Sequence, residues 1–154
     1  MKERKRYKIV RKNIAVGILL GIFLNSMTYA NELIKVRNGS SARVITAPNG
    51  TPTIELANPN GNRISVNDFD RLSVDEKNLI LNNISPKEGA GYRSELGGII
   101  APNENYTGNP ARAILLRVHK DPSVINGFIE AASTGKVDMF LSNPNGIYLN
   151  GGLV

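Results

Sequence analysis

The sequence contains no cysteine and only one histidine, His119, among its 154 residues. Without cysteine the chain forms no disulfide and has no thiolate to serve as a nucleophile or a metal ligand. His119 has no partner at a fixed spacing, so we expect a polar turn residue between Val118 and Pro122 rather than a metal ligand or a triad member. Stability must therefore come from backbone hydrogen bonds and packing.

Motifs that carry catalysis or bind cofactors are also missing. The sequence has no Gly-x-Ser-x-Gly motif, no phosphate-binding glycine loop and no carboxylate pair at catalytic spacing. The acidic stretches at Asp68 and Asp70 and at Asp75 and Glu76 lack the central glycine and terminal glutamate of a calcium loop. We expect them on a solvated face. The sequence thus predicts no catalytic, cofactor or metal site, and a protein that is not an enzyme.

A basic segment followed by an apolar run opens the chain. Residues 1–13 hold seven of the 19 basic residues, and the run 14–24 contains no charged or polar side chain. With the small residues Thr28 and Ala30, this order is typical of a secretory signal peptide, whose apolar core has about 7 to 15 residues. We predict export by the Sec machinery and cleavage after Ala30, which makes Asn31 the first mature residue.

Cleavage there divides the chain into a signal peptide, residues 1–30, and an exported domain, residues 31–154. The alternative is an uncleaved membrane anchor, but a span needs about 20 apolar residues, and Asn25 and Ser26 interrupt this one. Removing the signal peptide lowers the basic residues from 19 to 12 and the acidic residues from 13 to 12. The exported domain is therefore neutral, and its charge does not support nucleic-acid binding.

Glycine, asparagine and proline recur about every ten residues of the exported domain. Short strands separated by such turn residues predict an all-β domain, whether a sandwich, a barrel or a β-helix. The predicted strands are the runs rich in β-branched or apolar residues: 42–47, 53–57, 63–66, 79–81, 98–100, 111–118, 127–131, 137–141 and 147–149.

Alternation and capping signals refine these predictions. Ile54 and Leu56 are two apart, so a strand would place them on one face. The capping-box spacing of residues 73–76 predicts at most a helical turn. An asparagine and a proline at Asn109 and Pro110 could begin a helix, but we expect a strand over 111–118.

Two copies of Asn-Pro-Asn-Gly each follow a predicted strand. Asparagine can bond its own backbone two residues on, proline fixes φ near about −65°, and the final glycine accepts a positive φ, so the tetrapeptide forms a tight corner. Repeated corners, with further asparagines between strands, favour a right-handed parallel β-helix with three short strands per coil. The two copies are Asn58, Pro59, Asn60 and Gly61, and Asn143, Pro144, Asn145 and Gly146.

Taken in order, these segments resemble the two-partner secretion domain of filamentous haemagglutinin and related haemolysins. The likeness extends over residues 53–152. It begins with a strand, an Asn-Pro-Asn-Gly corner and an Ile-Ser-x-Asn-x-Phe stretch, and it ends with Asn-Pro-Asn-Gly-Ile, the motif for which the domain is known. The matching segments are 53–74, 79–83, 111–118, 123–131 and 142–147.

The resemblance implies a fold, a partner and a set of residues. It implies the first coils of a right-handed parallel β-helix, recognised by an outer-membrane transporter with periplasmic POTRA domains. Asn103 and Asn105 stand where the family has Asn-Pro-Asn-Leu, although this chain has Glu and Tyr in place of Pro and Leu. The residues expected to hold the coils in register are Asn58, Pro59, Asn60, Gly61, Asn82, Asn83, Asn103, Asn105, Asn143, Pro144, Asn145, Gly146 and Ile147.

The resemblance also implies passage through the periplasm to the surface of a Gram-negative bacterium or into the medium. Proteins of this family continue far beyond this length, so we expect Val154 to fall within a larger coil stack, with host-cell contacts in the C-terminal part that follows. Two alternatives remain: a free-standing exported β-helix that acts as a binding protein or adhesin fragment, and a non-functional truncated product. A β-helix enzyme acting on polysaccharide would need clustered aspartates beside Arg or Lys, which the sequence does not assemble.

Overall fold

The structure is a computed structural model that describes residues 32–150. The predicted signal peptide, the predicted cleavage point between Ala30 and Asn31, and residues 151–154 lie outside the described residues. Within the described range, no helix has the length and apolar character needed to cross a bilayer.

Short strands dominate the described residues, joined by turns and one 3-10 turn, Pro86–Glu88. The strands are β1 (Ile34–Val36), β2 (Arg43–Thr46), β3 (Pro52–Glu55), β4 (Ile64–Leu72), β5 (Leu79–Asn82), β6 (Tyr92–Ser94), β7 (Gly98–Ile100), β8 (Ala113–Val118), β9 (Ser123–Ile125), β10 (Ile129–Ala132), β11 (Asp138–Ser142) and β12 (Ile147–Leu149).

Parallel pairing stacks these strands into coils with three faces. Face A contains β4, β8 and β11, and face B contains β3, β5 and β10. Face C contains β9 and β12, with Val74 bridging to Ile125 of β9. The chain visits the faces in the order A, C, B and then begins the next coil. This arrangement confirms the predicted parallel β-helix.

Alternating side chains of the stacked strands fill the interior. Ile54 and Leu56 are fully buried, as their spacing predicts. On β11, Met139 and Leu141 pack against the core, whereas Phe140 between them is 55% exposed. Fully burying one such aliphatic side chain contributes about 1.5–3 kcal/mol. The core therefore runs along the axis of the stack, from face to face in every coil.

The two ends of the stack differ. At the N-terminal end, β1 pairs antiparallel with β4 and β2 pairs antiparallel with β3, so both edges are covered. At the C-terminal end, β10, β11 and β12 each have a strand partner on one side only within 32–150. Large apolar side chains are exposed at or near that end: Phe128, Phe140, Ile147, Tyr148 and Leu149.

An insertion separates the first two coils. From Ile64 to its neighbour Ala113 the chain advances 49 positions, but from Ala113 to its neighbour Asp138 it advances only 25. The additional residues form the 3-10 turn, the β6–β7 hairpin and the loop around Asn103. The hairpin covers the outer side of face B, where Ile80, Ile100 and two alanines form a second small core.

One glutamate fastens this hairpin to face B. The Glu130 carboxylate of β10 accepts hydrogen bonds from the Ser94 hydroxyl (2.7 Å) and from the backbone N–H groups of Leu96 (2.9 Å) and Glu95 (3.0 Å). The hairpin turn also lies very close to face B, because a Cβ at Gly97 would be 2.4 Å from the Ile80 side chain. Hydrogen bonds to a charged carboxylate are stronger than neutral ones, so this contact orients the whole insertion.

Some local predictions were incomplete or wrong. Residues 73–76 form no helix, which agrees with the expectation of at most a helical turn, and Val74 joins face C. The capping box instead closes the turn Pro86–Glu88, through Ser85 and Glu88. The strand predicted over 63–66 extends to Leu72, and β1, β6 and β9 were not among the predicted strands.

The acidic residues expected on a solvated face divide between surface and interior. Glu76 is exposed, but Asp70 and Asp75 are only 8% and 7% exposed. Asp70 is buried because Arg37 and Lys120 pair with its carboxylate (both 3.0 Å). The hydrogen bond from Lys120, followed by the charges of neighbouring basic groups, lowers the pKa of Asp70 against the opposing effect of desolvation.

Candidate functional site

The second Asn-Pro-Asn-Gly sequence forms the predicted corner, between faces A and C. The Gly146 N–H donates to the Asn143 carbonyl oxygen (3.3 Å), and Gly146 has φ = 111°, a region that favours glycine. The Asn143 side-chain oxygen accepts from the backbone N–H of Asn145 (2.9 Å) and from its Nδ2 (3.2 Å). Pro144 is exposed at the tip. The asparagine side chain therefore fixes the turn locally.

Asn143 also joins this corner to the coil before it. Its Nδ2 donates to the Asp121 carbonyl oxygen (2.9 Å) and to Ser123 Oγ (2.9 Å). The Ser123 N–H in turn donates to the Gly146 carbonyl oxygen (3.0 Å), and Ile147 pairs with Ser123 as β12 begins. One side chain thus sets both the turn and the register of the next strand.

The first Asn-Pro-Asn-Gly sequence folds differently from the second. Its turn is displaced, since the Arg63 N–H donates to the Asn60 carbonyl oxygen (2.8 Å), and Arg63 rather than Gly61 has a positive φ, 61°. The Asn60 side-chain oxygen accepts from the N–H groups of Asn62 and Ile64 (both 3.0 Å). Gly61, which could accept a positive φ, does not have one, and the Asn60 side chain instead bonds the residues that follow it.

The remainder of this first tetrapeptide faces the insertion. Asn58 is exposed, and its side-chain oxygen accepts a hydrogen bond from the Thr107 N–H (3.1 Å). Pro59 is half-buried, while Asn60 and Gly61 are exposed. These four residues, together with 107–109, border a shallow surface depression. They lie at the corner between faces B and A, away from the second tetrapeptide.

Four predicted asparagines meet at the same corner and form what we call the asparagine hub: Asn82, Asn83, Asn103 and Asn105. Asn103 is fully buried, and its Nδ2 donates to the carbonyl oxygens of Leu56 (3.0 Å) and Asn82 (2.9 Å). Its side-chain oxygen accepts from the Asn105 N–H (2.9 Å). Leu56 follows β3 and Asn82 ends β5, so Asn103 bridges two successive coils.

Asn83 has the most complete set of hydrogen bonds in the hub. Its Nδ2 donates to the Ala111 carbonyl oxygen (3.0 Å) and to Ser133 Oγ (3.1 Å). Its side-chain oxygen accepts from the Tyr106 hydroxyl (2.8 Å) and the Ala111 N–H (2.9 Å). Burial raises the pKa of Tyr106, with a smaller opposing effect from Ser65, so its hydroxyl stays protonated as a donor.

The other two hub members hold the edges of the insertion. The Asn82 Nδ2 donates to the Ala101 carbonyl oxygen (3.0 Å), and the Asn82 side-chain oxygen accepts from the Ile84 N–H (3.2 Å). The Asn105 Nδ2 lies 3.0 Å from the Ser41 carbonyl oxygen and 3.1 Å from that of Leu56. The insertion is therefore tied to β5 and, through Ser41, to the segment just before β2, as well as to the coils.

A buried pair on β4 belongs to this corner but was not predicted as a site. The Asn67 side-chain oxygen accepts from the Ala57 N–H (2.8 Å), and Ser65 Oγ donates to the Ala57 carbonyl oxygen (2.6 Å). The Asn67 Nδ2 donates to Ser65 Oγ (3.0 Å). Both residues are fully buried. The Ser-x-Asn spacing could have indicated this pair, because residues two apart in a strand direct their side chains to the same face.

Asparagines also occupy the third corner, between faces C and B, and these too were not predicted as sites. The Asn150 Nδ2 donates to the Asn126 side-chain oxygen (2.8 Å). The Asn78 side-chain oxygen accepts from the Phe128 N–H (2.9 Å), and Asn78 itself has φ = 66°. Of the described residues predicted as sites, the hub and residues 58–61 lie at the corner between faces B and A, and residues 143–147 lie at the corner between faces A and C. Asparagines thus occur at every corner.

A charged row runs along the outer side of face A. Arg117 donates through Nε and an Nη atom to the two oxygens of Asp68 (2.8 and 2.7 Å), and the His119 Nε2 lies 2.7 Å from Asp68 Oδ1. The Arg117 hydrogen bond, with a smaller one from His119, lowers the pKa of Asp68 against desolvation. His119 is thus an ion-pair neighbour, and within 32–150 no three His, Cys, Asp or Glu side chains form a metal-binding group.

Comparison with known proteins gives consistent matches. A family model described as "TPS secretion domain" matches residues 33–153. The chain is 30% identical over 135 residues to a hemolysin of Serratia marcescens, which covers 87% of this chain and 8% of that protein. It is 34% identical over 126 residues to the filamentous hemagglutinin of Bordetella pertussis, covering 81% of this chain and 3% of that protein.

The fold is similar to that of a solved structure. The crystal structure of the filamentous hemagglutinin secretion domain matches with a TM-score of 0.66 and 31% sequence identity, over 78% of this chain and 39% of that chain. A CdiA toxin of Yersinia pestis is 33% identical over 110 residues, 70% of this chain and 3% of the toxin. The chain thus spans less than a tenth of the curated relatives described here.

Proposed function

The chain belongs to the TPS secretion domain family, and we propose that it is the secretion-targeting and fold-nucleating N-terminal part of an exoprotein of the haemolysin or filamentous haemagglutinin type. Its work is recognition and templating, without catalysis. The observation that carries the proposal is the family match over 33–153, on a coil stack that, as far as residues 32–150 describe it, has one covered end and one open end.

The proposed route begins with export across the inner membrane. The signal peptide, 1–30, directs the chain to the Sec machinery, and the exported domain stays extended in the periplasm. An outer-membrane transporter with POTRA domains then recognises it, in part by adding strands to its exposed backbone. The chain reaches the cell surface or the medium. Host-cell contacts belong to the portions of such exoproteins outside the matched region.

Folding at the surface supplies the second half of the proposal. A coil in a solenoid contacts only its neighbours, so each completed coil offers paired edges to the next one. Among residues 32–150, the edges of β10, β11 and β12 that have no strand partner, with Ile147 and Leu149 exposed beside them, are such a template. The antiparallel β1 and β2 cover the opposite end, so growth proceeds from one end of the stack.

Within this proposal, the asparagines hold successive coils in register. Asn143 supports this role through its hydrogen bonds to the preceding coil, and Asn83 and Asn103 support it through bonds that link the corners after β3, β5 and β10. A transporter that binds the extended chain can contact the same asparagines. The contributions of these residues to folding and to recognition therefore need separate measurements.

Secretion with the cognate transporter tests the proposal. We expect the double variant Asn143→Ala/Asn145→Ala, and a deletion of residues 54–81, to remain in the periplasm while the unmodified chain is released. Asn38→Ala/Asn109→Ala is the matched control, because it also removes two asparagines, at exposed positions outside the 143–147 corner. Release of either test variant at the normal level would refute the targeting role.

A second measurement separates recognition from folding. Each variant is denatured and diluted, and its binding to the purified periplasmic domain of the transporter is measured. Its refolding is followed in a separate sample without that domain. If a variant refolds normally but is neither bound nor released, the asparagines it lacks act in recognition by the transporter. If a variant is bound but does not refold, those asparagines act in the nucleation of folding. Normal binding and normal refolding together would contradict both roles.

A further inference from the structure

Asparagine followed directly by glycine recurs along the chain, and five such pairs lie wholly within residues 32–150. In such a pair the main-chain nitrogen of the glycine can attack the side-chain carbonyl carbon of the asparagine, because glycine has no side chain to shield that nitrogen. Two reacting groups held close together in one chain react far more readily than separate molecules. The five pairs begin at Asn38, Asn49, Asn60, Asn126 and Asn145.

Hydrogen bonds restrain four of these pairs in the folded chain, and the pair at Asn49 is restrained most completely. The Asn49 Nδ2 donates to the Leu96 carbonyl oxygen (2.7 Å), and the Asn49 side-chain oxygen accepts from the Thr51 N–H (3.1 Å). The nitrogen that would attack is also engaged, since the Gly50 N–H donates to the Ala47 carbonyl oxygen (2.9 Å). Attack at Asn49 therefore requires several hydrogen bonds to break first.

The three pairs at the corners of the coils are restrained in similar ways. The Asn60 side-chain oxygen accepts two backbone hydrogen bonds, and the Asn126 side-chain oxygen accepts one from Asn150. The Asn145 Nδ2 donates to Asn143 Oδ1, and the glycine that follows donates its N–H to the Asn143 carbonyl oxygen. In each pair the carbonyl group to be attacked, or the amide to be expelled, is held in place.

The pair at Asn38 is the exception. Within residues 32–150, neither the Asn38 side chain nor the Gly39 N–H makes a hydrogen bond, and both residues are exposed. They form the two central positions of a tight turn, in which the Ser40 N–H donates to the Arg37 carbonyl oxygen (3.0 Å) and Gly39 has φ = 89°. A Cβ at Gly39 would meet nothing within 4 Å, so water reaches the pair freely.

We propose that Asn38 is a site of spontaneous modification, where the side-chain amide is converted to a carboxylate through a cyclic succinimide. A base in the solvent removes the Gly39 N–H proton, and the nitrogen forms a bond to Asn38 Cγ. The bond from Cγ to Nδ2 breaks, and Nδ2 takes a proton from water and leaves as ammonia. Water then opens the ring, at Cγ to give aspartate or at the main-chain carbonyl carbon to give isoaspartate. Water is the only co-reactant.

The turn that contains Asn38 anchors the covered end of the stack, so its modification has a structural consequence. The Arg37 N–H donates to the Asp68 carbonyl oxygen (3.0 Å), and the Asp68 N–H donates to Ser40 Oγ (3.2 Å). Arg37 also pairs with Asp70 (3.0 Å). Isoaspartate adds a carbon atom to the main chain between these anchors, which loosens them. The inference does not depend on a transporter, so its failure would leave the proposed function untouched.

Peptide mapping by mass spectrometry tests the site. The purified chain is kept in mildly alkaline buffer, either folded or in urea, and the conversion of each asparagine is followed over time. Asn49 is the matched control, because it is also exposed and is also followed by a glycine with a positive φ (95°). In the folded chain we expect Asn38 to convert at least about tenfold faster than Asn49, a factor that corresponds to about 1.4 kcal/mol. In urea the two rates should be similar.

Two results would overturn the assignment of the site. One is a folded chain in which Asn38 is not converted, and the other is a folded chain in which Asn49 or any corner asparagine is converted as fast as Asn38. A ratio of the Asn38 and Asn49 rates that is the same in urea as in the folded chain would also reject the proposed cause, because the hydrogen bonds of the fold would then give no protection.

Hydrogen exchange tests the consequence for the turn. We expect the Arg37 and Asp68 amides to exchange faster in the aged chain than in Asn38→Gln aged for the same time, while the Leu79 amide on face B stays unchanged. Freshly purified Asn38→Asp has the added charge without the added carbon and should match fresh unmodified chain. Equal exchange in the aged chain and in aged Asn38→Gln, or fast exchange in fresh Asn38→Asp, would show that isoaspartate does not loosen the turn.

Discussion

Replacing Asn83 with alanine should be among the most damaging single substitutions in the domain. The side chain is fully buried and makes four hydrogen bonds, to Ala111 twice, to Tyr106 and to Ser133. Alanine fits the space, so the backbone has no steric reason to move. The substitution therefore measures the polar contacts of the hub rather than a change in packing.

The expected magnitude follows from the groups left behind. Asn83→Ala removes the partner of the Ala111 N–H, of the Ala111 carbonyl oxygen and of the Tyr106 hydroxyl, all in the buried hub. A buried donor or acceptor without a partner costs about 1–3 kcal/mol. Ser133 is half-buried, and water entering the vacated space restores some bonds. We therefore expect a loss of about 3–5 kcal/mol, a large part of the roughly 5–15 kcal/mol typical of a domain.

Urea unfolding of the exported domain, followed by far-ultraviolet circular dichroism, measures this loss. With an m-value of about 2 kcal/mol/M, the midpoint should fall by about 2 M. Tyr106→Phe removes only one hydroxyl and should cost about 1 kcal/mol. Asn58→Ala, which loses one exposed bond, is the matched control. If the midpoint of Asn83→Ala shifts no further than that of Asn58→Ala, the hub does not stabilise the coils.

Three further predictions concern other contacts. Gly127→Ala should lose about 1–3 kcal/mol in the same urea assay, since its Cβ would be 1.9 Å from a backbone oxygen, whereas Gly108→Ala meets nothing within 4 Å and should not. Glu130→Gln should make the β6–β7 hairpin more sensitive to limited proteolysis without unfolding the coils. Because hydrogen bonding from Arg117 lowers the pKa of Asp68, its stabilisation should be present above about pH 4 and lost below it. Asp68→Asn should flatten that part of the stability–pH curve, and an unchanged slope would exclude Asp68 as its source.

Local signals in the sequence were enough to predict most strands and the positions of both tetrapeptide corners, but the turn geometry of only one of them. The 143–146 turn depends on four consecutive residues, each suited to its position, and the structure contains it. The same four residues at 58–61 form a turn that is displaced toward Arg63, because the Asn60 side-chain oxygen accepts hydrogen bonds from the N–H groups of Asn62 and Ile64. A turn motif therefore predicts a corner more reliably than it predicts which residue has a positive φ.

Contacts between distant residues could not be read from the sequence. The side chain of Asn67 bonds Ala57 across a corner, and Glu130 bonds a hairpin 34 to 36 positions earlier. Nothing in the residues near Glu130 indicates that partner. The strand β1, which pairs antiparallel with β4, is only three residues long. A segment of three residues is too short to show the alternation that identifies a strand in a sequence.

The hydrogen bonds of the asparagine hub join residues that are far apart in the sequence. A minimum length of chain must therefore be available before the hub can form. Asn83 contacts Ser133, 50 positions later, and Asn103 contacts Leu56, 47 positions earlier. Residues 56–133 must therefore be on the same side of any pore before the hub can close. At about 3.3 Å per extended residue, these 78 residues measure about 260 Å. Until all of these residues are free, the bonds of Asn83 to Ser133 and of Asn103 to Leu56 cannot both form, so the hub cannot yet stabilise the coils.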